Sequence, residues 1–411
     1  MSLEAILEMT ERFENAIEDR HLIEGLILPT LVLPPIGRED LQTGNYENCA
    51  VWTGLYVAAQ ALKYAKTGDL KARAKAKRGL LALNRLQNVS GKPGFVSRGY
   101  KLRVGSDWDE DLFWKKNLTD PSRRKDEWHQ SGDYRFLGDT SRSQILGVTY
   151  GYFAFNNLCN PDSEEKALIS KYVVQIVQSI IDNGGKIVDL DGKPTGWGDY
   201  NGYGIGPALL LSSLKLAYVL TGEERFHEAY TKQFNLAVNK GIRSAHRLAI
   251  WPVNRWHTTF GSDYHSMMLN YNMLLKLEKN PEILGVYTEG LNNLWRTIND
   301  PENALFNFIY SASGGQDFNL QQGIDALERF PANKIVDGVA LKRQISAWMR
   351  PRDIMRRTKM PLEERSVDEY AWRINPFRHD NWIAVLPGKM EFTGIDYLFA
   401  ANFGRYYDFI K

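Results

Sequence analysis

The sequence predicts an all-α protein, an (α/α)6 toroid with a few short β-hairpins in its loops. Three observations predict it. Apolar helical runs alternate with more polar ones along the 411 residues. One junction recurs: Tyr64-Ala65-Lys66-Thr67-Gly68-Asp69 matches Tyr218-Val219-Leu220-Thr221-Gly222-Glu223, an apolar helix ending at Thr-Gly-acid with a polar helix behind it. The count also closes, with six apolar runs that each have a polar companion. Helix pairs repeated in this way bury one another's faces. An open helical solenoid is the alternative arrangement. The chain exceeds the usual size of one compact core, but a ring grows hairpin by hairpin, so residues 1–411 read as a single toroid domain.

The elements follow in order. Residues 3–20 form an amphipathic helix, and 21–45 a connection broken by Pro29, Pro34, Pro35 and Gly37. Helix 47–66 places Trp52, Leu55, Ala58, Ala59 and Leu62 at helical spacing. Gly68 ends it, and helix 70–87, rich in Lys, Arg and Ala, faces solvent. Residues 89–138 form the longest irregular segment, and loops of that length are usually functional or mobile. Gly138-Asp139-Thr140-Ser141 opens the apolar helix 141–158, with Asp139, Thr140 and Ser141 offering oxygens to its orphan N–H groups. Helix 162–183 is the partner. A short hairpin over 186–194 turns at Asp191-Gly192. Helices 206–221 and 223–239, 263–278 and 281–298, and 302–312 and 317–328 make three further pairs. Residues 330–392 are mixed and proline-punctuated, and a last helix, 394–408, packs beside the first.

Composition narrows the function. Lys plus Arg is 51 and Asp plus Glu is 49, a net charge of +2, which argues against a general nucleic-acid binder. The basic run within 68–78 reads as the solvated face of an outer helix. Two cysteines, Cys49 and Cys159, give no disulfide framework and no zinc spacing. Residues 1–20 lack the apolar core of a signal peptide, and no apolar run is long enough to span a membrane. A cytoplasmic protein without metal or cofactor is expected, acting on a small-molecule or oligosaccharide substrate, with self-association left open. The 11 Trp and 20 Tyr suit an aromatic-lined cleft.

Several stretches resemble one family. They are Trp52-Thr53-Gly54-Leu55-Tyr56-Val57-Ala58-Ala59, Pro93-Gly94-Phe95, Gly138-Asp139-Thr140-Ser141, Asp191-Gly192-Lys193-Pro194-Thr195 and Phe306-Asn307-Phe308-Ile309-Tyr310. The likeness is to bacterial six-hairpin toroid proteins, in order from about residue 40 to Gly404-Arg405-Tyr406-Tyr407. More distantly, the hairpin plan is similar to that of unsaturated glucuronyl hydrolases and other six-hairpin glycan enzymes. The resemblance implies the toroid and a site at the mouth where loops enter the inner helices. The chain departs from the family where acidic residues are expected: Glu47-Asn48-Cys49 before Trp52, Ser143 and Gln144 after Ser141, and Gly261-Ser262-Asp263-Tyr264-His265 before the fourth inner helix. An acid-rich pocket has become more neutral and aromatic.

The candidate site follows. Asp139 and Asp263, on separate loops, are the acid/base pair, and Tyr264 and His265 assist. Two carboxylates work as acid and base when their environments separate their pKa values. The competing role for each aspartate is helix capping, and for His265 a hydrogen-bonded core position. Trp52, Trp197, Tyr200 and Trp256 are candidate stacking walls, and Glu47, Cys49, Arg142, Gln144, Asp199, His257, Tyr310 and His379 complete the substrate-binding set. Asp199 has turn closure as its structural alternative, and Cys49 a buried filler role. The leading function is hydrolysis or elimination on a saccharide or uronic-acid derivative. A lyase, isomerase or cyclase acting on an apolar substrate is the second reading, and a non-catalytic binding protein the third.

Overall fold

The computed structural model describes residues 3–32, 43–44, 46–102, 128–202, 205–238, 261–298, 302–315, 319–337 and 389–411. Twelve α-helices lie among them. The even-numbered ones are α2 (Cys49–Thr67), α4 (Arg142–Leu158), α6 (Gly206–Thr221), α8 (Gly261–Leu277), α10 (Ala304–Ala312) and α12 (Ile395–Tyr406). Each packs on the next, and α12 packs back on α2, which closes the ring. The odd-numbered helices are α1 (Leu3–Ala16), α3 (Leu70–Asn88), α5 (Ser163–Asp182), α7 (Glu224–Leu236), α9 (Pro281–Ile298) and α11 (Leu320–Glu328). They pack outside: α3 on α2, α5 on α4, α7 on α6, α9 on α8, α11 on α10 and α1 on α12. The fold is an (α/α)6 toroid.

The sequence dictates which helix goes inside. In α2 every residue from Cys49 to Leu62 is buried, as a helix enclosed on all sides requires. In α3 the first half buries only Ala72 and Ala76, and burial widens from Gly79 to Gln87 while Leu81 stays exposed. The repeated junction repeats its geometry too. Gly68 and Gly222 both sit at positive φ, 71° and 70°, and donate to Tyr64 and Tyr218 carbonyls at 2.7 and 2.8 Å. The left-handed cap that stops each inner helix is one that glycine adopts without strain.

Contact between α2 and α4 is backbone on backbone. A Cβ on Gly54 would lie 1.9 Å from the Gly147 carbonyl oxygen, and one on Gly151 2.9 Å from Gly54 Cα. No other residue type fits this crossing undisturbed.

β1 (Leu22–Ile23) pairs antiparallel with β2 (Leu26–Ile27), and the next strands close the seam between the chain's two ends. β3 (Thr30–Val32) lies between β4 (Thr43–Gly44) and β11 (Lys389–Phe392), and β11 pairs with β10 (Ile335–Asp337). Glu391 stands opposite Leu31 in this antiparallel ladder. The connection 21–45 and the mixed segment 330–392 therefore both contribute strands to one sheet. The segment 89–138 is also partly ordered: β5 (Tyr100–Leu102), β7 (Tyr134–Leu137) and β6 (Trp128–Ser131) form an antiparallel sheet in that order. The first helix stops at Ala16 and continues as one π turn, Ile17–His21. The expected hairpin is present as β8 (Lys186–Val188) and β9 (Pro194–Asp199).

Candidate active site

Five inner helices are each followed by an outer helix that returns, and α12 pairs with α1, so the inner N-termini meet at one end of the ring. Three of the connecting segments converge there. They are the loop Lys92–Arg98 before β5, the turn Leu137–Ser141 before α4, and the hairpin Asp189–Asp199 before α6. All three carry motifs of the family resemblance.

Asp139 stands at their meeting point and is 3% exposed. Its φ is 51°, a left-handed conformation uncommon for a residue with a Cβ. Neighbours from three directions hold it there. Its N–H donates to Asp189 Oδ2 at 2.8 Å, and its carbonyl accepts from Arg98 Nη1 at 3.0 Å. Its own Oδ1 accepts the Gly196 N–H at 2.8 Å, and Arg98 Nη1 stands 4.0 Å from Oδ2. Thr140 reinforces the turn: its hydroxyl donates to the Val96 carbonyl, and its carbonyl accepts from Thr195 Oγ1 at 2.8 Å. Strained backbone that is over-determined in this way gathers at functional sites.

Asp139 is not the helix cap. Ser141 is the N-cap of α4, and its N–H donates to Gln144 Oε1 at 3.3 Å. Gln144 is thereby withdrawn from the substrate-binding set. It is fully buried, and its Nε2 donates to the Glu47 carbonyl at 2.5 Å. Glu47 is buried as well and pairs through Oε1 with Arg98 Nη2 at 3.0 Å, while Arg98 Nε donates to the Glu47 carbonyl at 3.0 Å. One guanidinium therefore ties the entrance of α2 to the entrance of α4. Cys49, the first residue of α2, is wholly buried beside Gly99.

Across the ring, Trp52 of α2 faces His265 of α8, ring centroids 6.1 Å apart and tilted by 38°. Both are buried, and Tyr264 is half-buried next to His265. Deeper in, Tyr150 of α4 donates to Asn272 Oδ1 of α8 at 2.8 Å and meets Phe399 of α12 edge-on at 5.8 Å. The mouth thus has an aromatic floor. Asp263 lies in the first turn of α8, and its side chain falls outside the described residues, as do Trp256, His257 and His379.

On β9, Trp197 is 52% exposed, one residue from the Gly196 N–H that binds Asp139. Asp199 closes a turn, accepting the Asn201 N–H at 2.8 Å, and its carbonyl accepts from Arg142 Nη1 at 2.8 Å. Two expected cleft residues lie elsewhere. Tyr200 is 1% exposed beneath the hairpin, and burial pushes its phenol well above the ordinary range. Tyr310 points outward between α10 and α9, stacked on Trp295 at 4.3 Å and bonded to Asn292 Oδ1 at 2.7 Å. Both tyrosines are packing residues.

Asp189, absent from the sequence reading, takes part directly. Its Oδ1 accepts the Leu190 N–H at 2.7 Å, and His129 Nε2 stands 4.0 Å from that same oxygen. An aspartate two residues ahead of an Asp-Gly turn reads as part of the turn, so no sequence signal marked it.

Among the described residues, no group of three or more His, Cys, Asp or Glu side chains is arranged to hold a metal ion, and no helix is long and apolar enough to cross a membrane. No family model and no curated protein matches the sequence. Two glycan enzymes are among the solved structures that resemble the chain. A heparin-specific unsaturated glucuronyl hydrolase is 12% identical, with 99% of this chain and 96% of that one covered at a TM-score of 0.32. An α-1,6-mannanase from Salegentibacter sp. is 14% identical, with 69% and 85% covered at a TM-score of 0.28. At these scores the fold assignment rests on the closed helix ring itself.

Proposed function

We propose that the protein is a glycan-processing enzyme that uses acid/base chemistry at the toroid mouth on a saccharide or uronic-acid derivative. The observation that carries this reading is Asp139, a buried carboxylate in left-handed backbone, held from three sides although it caps no helix. Asp139 and Asp263, the latter in the first turn of α8, divide the two roles: the protonated member of the pair gives its proton to the departing oxygen as the C–O bond breaks, and the ionised member takes a proton from the attacking water. His265 and Tyr264 support the second carboxylate. Trp197 offers a face on which a sugar's C–H surface stacks, and Trp52 with His265 forms the floor. The converging inner-helix N-termini carry partial positive charge that favours a carboxylate-bearing sugar.

The buried aromatic floor favours a second reading, proton transfer to an apolar substrate by a lyase, isomerase or cyclase. One experiment separates the two. The protein is incubated with 4,5-unsaturated uronosyl disaccharides, α-mannan oligomers and a set of polyprenyl diphosphates, and products are followed by mass spectrometry. Water-added sugar fragments support the proposal. Turnover confined to the polyprenyl compounds replaces it with the second reading, and inertness toward all of them favours a binding protein.

A further inference from the structure

The turn at Asp139 is unusual in what holds its backbone. The Asp139 N–H, two residues ahead of the N-cap of α4, meets as its acceptor a carboxylate from the β8–β9 hairpin segment. That carboxylate, Asp189, is itself fixed. It is 7% exposed, its N–H donates to the Lys193 carbonyl at 2.9 Å, and its carbonyl accepts from Gly192 N–H at 3.1 Å and Lys92 Nζ at 3.0 Å. Its two oxygens take one N–H each, from Leu190 and Asp139. Gly138 lies against it so closely that a Cβ there would come within 2.8 Å of both oxygens and 3.0 Å of His129 Nε2. With each of its oxygens taken by a backbone N–H, the Asp189 carboxylate holds geometry.

We infer that Asp189 is the positioning residue of the site: by accepting the Asp139 N–H it locks the left-handed turn that aims the Asp139 carboxylate at the Gly196 N–H and the mouth. The inference rests on the proposed role of Asp139 for its catalytic consequence, but its structural part stands independently. The Asp189 carboxylate works as an acceptor of two N–H bonds, so asparagine, with one acceptor oxygen, preserves part of the function, and alanine preserves none. The hairpin β8–β9 then controls the site twice, through Asp189 at its turn and through Gly196 on its second strand.

The test has two arms, each using the full chain. In the first, amide hydrogen exchange is measured on Asp189→Ala and Asp189→Asn. Exchange at the Asp139 amide should accelerate by about tenfold or more in Asp189→Ala, as expected for loss of a buried acceptor, with α4 amides beyond the first turn unchanged. Asp189→Asn should show a smaller change. In the second arm, turnover is measured on the 4,5-unsaturated uronosyl disaccharides and α-mannan oligomers, using the one that the wild-type protein cleaves. Asp189→Ala should lose about tenfold to a hundredfold in kcat with KM nearly unchanged, as for a misplaced catalytic group, and Asp189→Asn should recover most of it. Unchanged protection of the Asp139 amide in Asp189→Ala overturns the inference. So does an Asp189→Asn variant as inactive as Asp189→Ala with a shifted pH profile, because that marks Asp189 as a proton-transfer group. If no glycan is cleaved, the functional proposal fails while the exchange arm still decides the positioning role. Should Asp189→Ala not fold, Asp189→Ser, too short to reach the Asp139 amide, carries the same exchange test.

Discussion

Replacing Gly54 by alanine tests the ring at its tightest joint. The added Cβ would lie 1.9 Å from the Gly147 carbonyl oxygen and 2.5 Å from its carbon, both backbone atoms of the facing helix. No side chain can swing aside, so α2 and α4 must separate. Separation in turn loosens Gly147, whose own Cβ position is 2.5 Å from Val51 Cα, and Gly151, at 2.9 Å from Gly54 Cα. Overpacking of a fitted core costs about 1–3 kcal/mol, and a rigid obstacle belongs at or above the top of that range. Alanine's better helix propensity returns about 1 kcal/mol. The net expectation is a loss of about 2–3 kcal/mol. Gly285, within α9, is the internal control, because a Cβ there meets nothing within 4 Å and its backbone is helical. Gly285→Ala should gain up to about 1 kcal/mol from propensity alone. Urea unfolding of both variants, followed by far-UV circular dichroism, reads the two shifts. Gly54→Ala as stable as Gly285→Ala would refute the close crossing.

Three further outcomes follow from other parts of the molecule. Burial lowers the His21 imidazole from 6.5 to about 4, while its Nδ1 donates to the Leu28 carbonyl at 2.9 Å. The unfolded chain therefore binds a proton that the folded one refuses as pH falls from about 6.5 to about 4, and stability should drop by about 3 kcal/mol across that window. His21→Asn, which keeps a donor for Leu28, should flatten this acid limb in unfolding curves taken at successive pH values, and an unaltered slope would remove His21 as its source. Lys334 is fully buried with its Nζ on both Asp396 oxygens at 3.0 and 2.9 Å, and burial raises the Asp396 carboxyl against the opposing pull of that lysine. Lys334→Met should cost about 3–5 kcal/mol, with Lys334→Met/Asp396→Leu recovering much of it in the same unfolding assay. Burial raises the Cys159 thiol to about 12, so it should stay unmodified by iodoacetamide at pH 8 in the native protein and react only on unfolding, as mass spectrometry would show.

Most of the ring was legible in the sequence because its signals are local. The burial run from Cys49 to Leu62 and the Thr-Gly-acid junctions depend on residues close along the chain, and both recur in the structure. The β3–β11 ladder was not legible, since Leu31 and Glu391 meet across nearly the whole chain and each lies in a strand too short to announce a partner. For the candidate site, Asp139 was singled out from its turn, yet the residues that hold it, Asp189 and Arg98, come from other segments and are joined to it by no local pattern. Tyr310 shows a further limit: in a helix buried all round, periodicity does not say which face looks to the centre and which to the outer layer. Gln144 illustrates the same limit for polar residues, because a buried amide that satisfies the backbone looks in sequence like one that binds a ligand.

The most direct test of the account is a structure of Asp139→Asn with the glycan that the wild-type protein cleaves. Asparagine keeps an oxygen for the Gly196 N–H, so the variant should fold with stability within about 1 kcal/mol of wild type. Its turnover should fall by about 10²–10⁴-fold, the usual loss of a general acid or base. The scissile oxygen should lie at the residue 139 side chain, with a sugar ring over Trp197. A ligand bound elsewhere with turnover retained, or a variant that merely loses stability, would contradict it and leave Asp139 as a structural part of the turn.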